Sequence, residues 1–174
     1  MRSAVKPVLS ALIAMALAAC AGDAGPPPGQ PSFYRSLAST GAELDADAAA
    51  SMISGYRQNN GLATVALDPT LMRLAGEQAR AMAARDKLDH NAKAEFAPRM
   101  KASGFDAKLA VENVSAGYHT LAEAFSGWRD SPPHRANMLK SGVTHMGIAA
   151  VYAPGSKYKV FWTLILATPD EAKG

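Results

Sequence analysis

Three segments of the sequence place polar side chains of chemical interest among apolar neighbours. They are Asp89-His90-Asn91, Val111-Glu112-Asn113-Val114 and the stretch from Trp128 to Leu139, which contains Ser131 and His134. Imidazole, carboxylate and hydroxyl groups can ligate metal ions, move protons or attack substrates. Each segment is a weak signal alone, because the same side chains also satisfy backbone groups at the ends of helices and strands.

The sequence motifs of several common enzyme chemistries are absent from this chain. The sequence has no Gly-rich phosphate loop, no His-Glu-x-x-His, no Gly-x-Ser-x-Gly and no dinucleotide-binding fingerprint. Its single cysteine, Cys20, can form neither an internal disulfide nor a Cys-rich zinc cluster. The absence of these motifs argues against the usual nucleotide-dependent and hydrolytic enzymes. Without an internal disulfide or a Cys-rich zinc cluster, an apolar core must stabilise the fold.

Length and charge indicate one domain with a tail. The chain has 174 residues, of which 48% are hydrophobic and 19% charged, close to the average for globular proteins. The net charge is +3, but residues 1–19 carry two of the positive charges, Arg2 and Lys6, and no acidic residue. The rest of the chain is therefore almost neutral, and we expect no nucleic-acid partner.

The first 19 residues have the pattern of a signal peptide. A basic start is followed by the uncharged apolar run Val8–Leu17, which is too short to span a bilayer. The run closes with Leu17-Ala18-Ala19-Cys20, which resembles bacterial lipoprotein precursors, whose cysteine is lipidated. We therefore expect a membrane anchor at Cys20 and a place in the cell envelope, on the periplasmic or outer-membrane face. The alternative is an ordinary secretory signal with an incidental cysteine.

Residues 20–43 are predicted to link this anchor to a domain that spans residues 44–170. Proline and glycine make up more than half of residues 21–32, and no apolar periodicity is present. Proline-rich segments are extended, at about 3.1 Å per residue, so this one would hold the domain away from a membrane.

Helix signals dominate the first part of the domain. Apolar residues recur every three or four positions behind an N-cap residue or a proline. The predicted helices are 46–58 after Asp45, 69–86 after Asp68, a short helix from Pro98 to Gly104, one opened by the capping box Thr120–Glu123, and a short one after Ser131.

Strand signals gather at the end of the domain. Met146–Tyr152 and Tyr158–Ala167 are rich in β-branched and aromatic residues, and a Pro-Gly turn separates them. They predict an antiparallel hairpin, and Leu109–Ser115 is predicted to be a third strand. Helices followed by strands, without βαβ alternation, indicate an α+β fold.

Taken in order, the polar segments resemble the CAP superfamily, also called the SCP-like family, in its short bacterial form. The most specific part is the spacing Trp128-x-x-Ser131-Pro132-x-His134-Arg135-x-Asn137-x-Leu139. Leu67-Asp68-Pro69 precedes the polar segments, and Gly147-Ile148 and Phe161-Trp162-Thr163 follow them, so the match runs from about Leu44 to Ala167. The resemblance implies a three-layer α-β-α sandwich with a mostly antiparallel central sheet.

The resemblance also implies a cleft in which two histidines and two acidic residues converge. The matching positions are His90, His134 and Glu112, while Ser131 stands where the second acid would be and Val111 where the family usually has glycine. No general enzymatic activity defines the family, and its eukaryotic relatives are linked to sterol and lipid binding. We therefore expect a non-catalytic module that binds a small lipid, glycan or peptide and requires no cofactor.

The alternative is a metal-dependent hydrolase. His90, His134 and Glu112 could supply three ligands to a divalent ion such as zinc, with Glu112 as general base; less favoured is Ser131 as nucleophile. Purely structural roles compete with both: Glu112 could bond backbone groups, His90 could cap the second helix and Ser131 could be an N-cap. The sequence also predicts that Trp128 and Trp162 are core residues, that Glu123 only caps its helix, and that His119 and His145 are surface or turn residues.

Overall fold

The computed structural model describes residues 29–170, so the predicted signal peptide, Cys20 and the start of the predicted linker lie outside the described part. That part has a 3-10 turn at Ser32–Tyr34, five α-helices and four strands. The helices are α1 (Ala46–Asn59), α2 (Pro69–Arg85), α3 (Phe96–Ala102), α4 (Leu121–Asp130) and α5 (Pro132–Met138). The strands are β1 (Ala66–Leu67), β2 (Ala107–Ala116), β3 (His145–Tyr152) and β4 (Val160–Pro169). Within residues 29–170 no helix is long and apolar enough to cross a bilayer.

Local capping sets where most helices begin. The carboxylate of Asp45 accepts a hydrogen bond from the Ala48 N–H, and that of Asp68 accepts one from the Leu71 N–H, both at 2.9 Å. Thr120 and Glu123 form the predicted reciprocal capping box of α4. The predicted starts of α1, α2 and α4 are confirmed. Helix α3 begins at Phe96, two residues before the predicted start at Pro98. Pro98 is tolerated in the first turn because the N–H that it lacks would have no helical partner there.

The four strands form one sheet in the order β1-β3-β4-β2. Strand β4 pairs antiparallel with both β2 and β3, whereas β1 pairs parallel with β3. The predicted α+β class and the mostly antiparallel sheet are confirmed. The sequence did not predict β1, which is only two residues long and forms only through its pairing with His145 and Met146.

Helices cover both faces of the sheet. On one face Trp162, Leu164 and Leu166 of β4 pack with residues of α1 and α4. On the other face Phe161 and Ile165 pack with residues of α2. This alternation along β4 produces the expected helix-sheet-helix layering.

The two tryptophans meet inside the first of these layers. Trp128 on α4 and Trp162 on β4 are 1% and 0% exposed, with ring centroids 6.3 Å apart in an edge-to-face arrangement. The Trp162 indole N–H donates to the Tyr118 carbonyl at 2.8 Å. The prediction that both are core residues is confirmed.

Helix α2 lies directly on strand β3 at Gly147. A Cβ atom at this position would stand 2.1 Å from the carbonyl carbon of Leu71 and 2.4 Å from the backbone nitrogen of Met72. Only glycine permits this approach of helix backbone to strand.

The residues before the predicted domain start also contribute to the core. Leu37 is buried among residues of α1, α4 and β4, and its N–H donates to the His119 carbonyl at 2.7 Å. The chain is therefore fastened to the domain at least seven residues before Leu44.

Candidate functional site

The candidate site is built on β2, which forms one edge of the sheet. Glu112 is paired with Ile165 and so shares the sheet face covered by α2, whereas Asn113, paired with Leu164, lies on the opposite face. Successive residues of one edge strand thus reach both helical layers.

Both oxygens of the Glu112 carboxylate are already bonded. Oε1 lies 2.9 Å from Nδ1 of His90, and Oε2 accepts a hydrogen bond from Nη2 of Arg99 at 2.8 Å. The Glu112 and Arg99 side chains are only 2% and 3% exposed. The carboxylate is therefore a buried ion pair with Arg99 that also holds the His90 ring.

His90 belongs to the loop between α2 and α3, and backbone contacts hold this loop in place. Gln78 on α2 donates from Nε2 to the carbonyls of Asp89 and His90 at 2.7 and 3.0 Å. Arg99 Nη2 also donates to the His90 carbonyl, at 3.1 Å. The His90 side chain is nevertheless 53% exposed. With Nδ1 held by Glu112, Nε2 is the ring nitrogen left for a ligand.

Helix α5 brings His134 to the same strand. Asn113 donates from Nδ2 to the His134 carbonyl at 3.0 Å, and Asn137 Nδ2 donates to the Glu112 carbonyl at 3.0 Å and to Asn113 Oδ1 at 2.9 Å. The far end of α5 is anchored by buried Arg57, whose Nη1 donates to the Met138 carbonyl at 2.8 Å. Half-buried His134 is thus positioned by its backbone.

The two histidines have opposite electrostatics. The hydrogen bond that His90 donates to the Glu112 carboxylate raises the pKa of His90 above its ordinary value of 6.5. Burial lowers the pKa of His134, and the nearby His90 lowers it further. Compared with free histidines, the site therefore favours the protonated form of His90 and the neutral form of His134.

Ser131 occupies the N-cap position of α5, as the structural alternative predicted, but its side chain makes no capping hydrogen bond in the part of the chain that the structure describes. It is half-buried and begins the helix that carries His134. Of the four residues predicted at the cleft, His90 and Glu112 are in contact, and His134 is attached to the same strand.

Other polar residues behave differently from the expectations. His90 does not cap α2; its carbonyl instead accepts from Gln78. His145 opens strand β3 rather than a turn, half-buried with its Nδ1 at 2.8 Å from Thr144 Oγ1, while His119 is exposed as predicted. Arg99 and Gln78 were missed, because nothing in the local sequence distinguishes them from solvated helix residues.

These residues do not fit the zinc site that His90, His134 and Glu112 would form in the alternative hydrolase hypothesis. Among residues 29–170, no group of three or more His, Cys, Asp or Glu side chains is arranged to hold a metal ion. Both Glu112 oxygens and Nδ1 of His90 are engaged with one another or with Arg99, and Ser131 replaces the second acid. The arrangement of these residues therefore does not support catalysis by a metal-bound water.

A helix-covered, mostly antiparallel sheet, with a glutamate on its edge strand that holds a histidine from a neighbouring loop, defines the class of this protein. The chain belongs to the CAP family: its residues 50–166 match the family model described as "CAP: Cysteine-rich secretory protein family". It does so with one cysteine in the whole sequence. A Bacillus subtilis (strain 168) protein, "Uncharacterized protein YkwD", is 33% identical over 102 residues, which are 58% of this chain and 40% of that relative. The chain thus spans well under half of that relative's length.

Solved structures share the fold at lower identity. An extracellular SCP-domain protein from Bacillus anthracis str. Ames is 21% identical, with a TM-score of 0.61 over 70% of this chain and 39% of its own. An outer surface protein from Borrelia burgdorferi is 16% identical, with a TM-score of 0.65 over 74% of this chain and 98% of its own. These likenesses extend the family assignment to the three-dimensional fold.

Proposed function

We propose that this chain is a lipid-anchored protein of the bacterial cell envelope whose cleft at His90 and His134 binds a small ligand without catalysis. The observation that carries the proposal is the state of His90: its ring is held at Nδ1 by a buried carboxylate, yet half of the side chain is open to solvent. A fixed and exposed hydrogen-bonding group suits ligand recognition, because little conformational freedom is lost on binding.

The surroundings of His90 favour a ligand with oxygen atoms. Glu112 is neutralised by Arg99, so its charge is not offered to the ligand. A protonated His90 donates from Nε2 to a hydroxyl, carbonyl or carboxylate oxygen, and neutral His90 accepts from a hydroxyl group. Glycans, peptides and lipid headgroups all carry such oxygens.

The ligand is tested by mass spectrometry of the small molecules that co-purify with the full-length chain. We expect a molecule that is retained by the wild type and by His119→Ala, in which an exposed histidine outside the site is removed. His90→Ala should lose at least about tenfold of the bound molecule, because a hydrogen bond to a charged group contributes roughly 1.5–3 kcal/mol. Equal retention by all three proteins would remove His90 from the binding site.

Support for the location comes from the leader pattern that ends at Cys20 and from the descriptions of two solved relatives, one extracellular and one an outer surface protein. Stable anchoring needs more than one acyl chain, as a lipidated N-terminal cysteine supplies. The test is membrane fractionation of cells that express the wild type or Cys20→Ala. We expect the variant to leave the membrane fraction; identical detergent partitioning of the two proteins would refute the anchor.

A hydrolase is the second candidate, and one observation favours it. Glu112 orients His90 through Nδ1 and leaves Nε2 accessible, which is how a carboxylate positions a histidine general base. Ester and peptide substrates incubated with wild type and His90→Ala would decide. Turnover lost in the variant supports this candidate, and no turnover by the wild type leaves the binding module.

A further inference from the structure

The buried pair of Arg99 and Glu112 gives the cleft its own cation. We propose that the Arg99 guanidinium takes the place beside Glu112 that a divalent metal would need, so that the cleft excludes zinc and binds its ligand metal-free. This inference does not depend on the identity of the ligand or on the lipid anchor.

Neither oxygen of Glu112 is free to bind a metal ion. A carboxylate binds a metal ion through an oxygen lone pair directed at the ion. Oε2 of Glu112 receives Arg99 Nη2 at 2.8 Å, and Oε1 faces His90 Nδ1 at 2.9 Å. A metal ion on either oxygen would have to displace a charge-assisted hydrogen bond.

Arg99 would also repel a divalent cation placed at Glu112. Arg99 is permanently charged, and it is 3% exposed, so water and salt screen it poorly. A divalent cation bound at Glu112 would lie within a few ångströms of that positive charge in a region of low effective dielectric constant. The repulsion would offset the attraction that Glu112 offers.

Arg99 is held by several contacts and cannot readily move aside. Its Nε donates to the Ala94 carbonyl at 2.9 Å, and Nη2 is shared between Glu112 and the His90 carbonyl. The guanidinium carbon also lies 5.3 Å from the centroid of the Phe96 ring. Among the described residues its Nη1 is buried without a hydrogen-bond partner, so this group depends on Glu112 for compensation of its charge.

The test is zinc binding by the full-length chain in detergent, stripped with a chelator and titrated with zinc chloride by calorimetry. We expect wild type, His90→Ala and the exposed-site control His119→Ala to give the same weak response. Arg99→Lys, which keeps the charge, should behave like the wild type. Arg99→Met, which removes it, should bind zinc at least about tenfold more tightly, and a second change of His90→Ala should abolish the gain.

Two results would overturn the proposal. One is zinc binding by the wild type that His90→Ala abolishes and His119→Ala does not. The other is a folded Arg99→Met chain, verified by circular dichroism, whose zinc affinity equals that of the wild type. If Arg99→Met does not fold, the comparison of wild type with His90→Ala decides alone, since it involves no Arg99 variant.

Discussion

The coupling energy between Arg99 and Glu112 is the most direct measure of how the site is held together. The three variants needed are Arg99→Met, Glu112→Gln and the double variant. Each single change leaves one polar partner buried without its counter-ion, whereas the double change removes both charges and roughly keeps the side-chain volumes. The free energy of unfolding of the four proteins then isolates the pair.

The structure sets the expected size. Both side chains are at least 97% buried and their polar atoms are 2.8 Å apart, so solvent screening is slight. Removing one member of a buried ion pair costs roughly 3–5 kcal/mol, while replacing both members is often close to neutral. We therefore expect each single variant to lose about 3 kcal/mol or more, and a favourable coupling energy of at least about 2 kcal/mol.

Urea-induced unfolding followed by tryptophan fluorescence measures these energies, because Trp128 and Trp162 are both buried in the folded state. The control is the same cycle on Arg73 and Glu77, a more solvent-accessible pair one helical turn apart in which Glu77 also contacts Lys93. Its coupling should be about 0.2–0.5 kcal/mol. Equal coupling energies in the two cycles would show that the buried Arg99–Glu112 pair stabilises the fold no more than the control pair does.

Four further predictions concern packing and pH. Gly147→Ala should lower the free energy of unfolding, measured in urea, by at least about 3 kcal/mol, since its Cβ would overlap the α2 backbone. The control Gly55→Ala, whose Cβ would have nothing within 4 Å, should be neutral or stabilising. Equal effects of the two substitutions would contradict the packing of α2 on Gly147. Trp128→Ala should cost roughly 3–5 kcal/mol, and an unchanged melting temperature would refute its burial. Because the pKa of His90 is raised in the fold, protonated His90 stabilises the folded state fully below pH 6.5, and this stabilisation is lost as the pH rises through the folded-state pKa. The difference in free energy of unfolding between the wild type and His90→Gln should therefore be largest at acid pH. Because the pKa of His134 is lowered, the corresponding difference for His134→Gln should be largest above pH 6.5 and should fall as the pH falls through the folded-state pKa. Parallel trends for the two variants would contradict both assignments.

Local signals predicted most of the secondary structure. The caps at Asp45, Asp68 and Thr120 act within three residues along the chain, so the starts of α1, α2 and α4 follow from sequence alone. The predicted strands agree with β2, β3 and β4 to within two residues, because their apolar, β-branched runs are buried in any arrangement of the sheet. Strand β1 was missed because two residues carry no periodicity.

The candidate site was predictable only in part. The resemblance to the CAP family supplied His90, Glu112 and His134, but their bonding depended on residues that carry no local signal. Arg99 in a short helix has the pattern of a solvated residue, and only the packing of α3 against β2 buries it beside Glu112, 13 positions along the chain.

Most of the secondary structure, the apolar core around the two tryptophans and the family follow from the order of residues along the chain. The partner that the Glu112 carboxylate takes does not, because it depends on how α3 packs against β2. A carboxylate responds to the charges within a few ångströms of it, and in this protein the nearest permanent charge is a guanidinium, brought there by the fold.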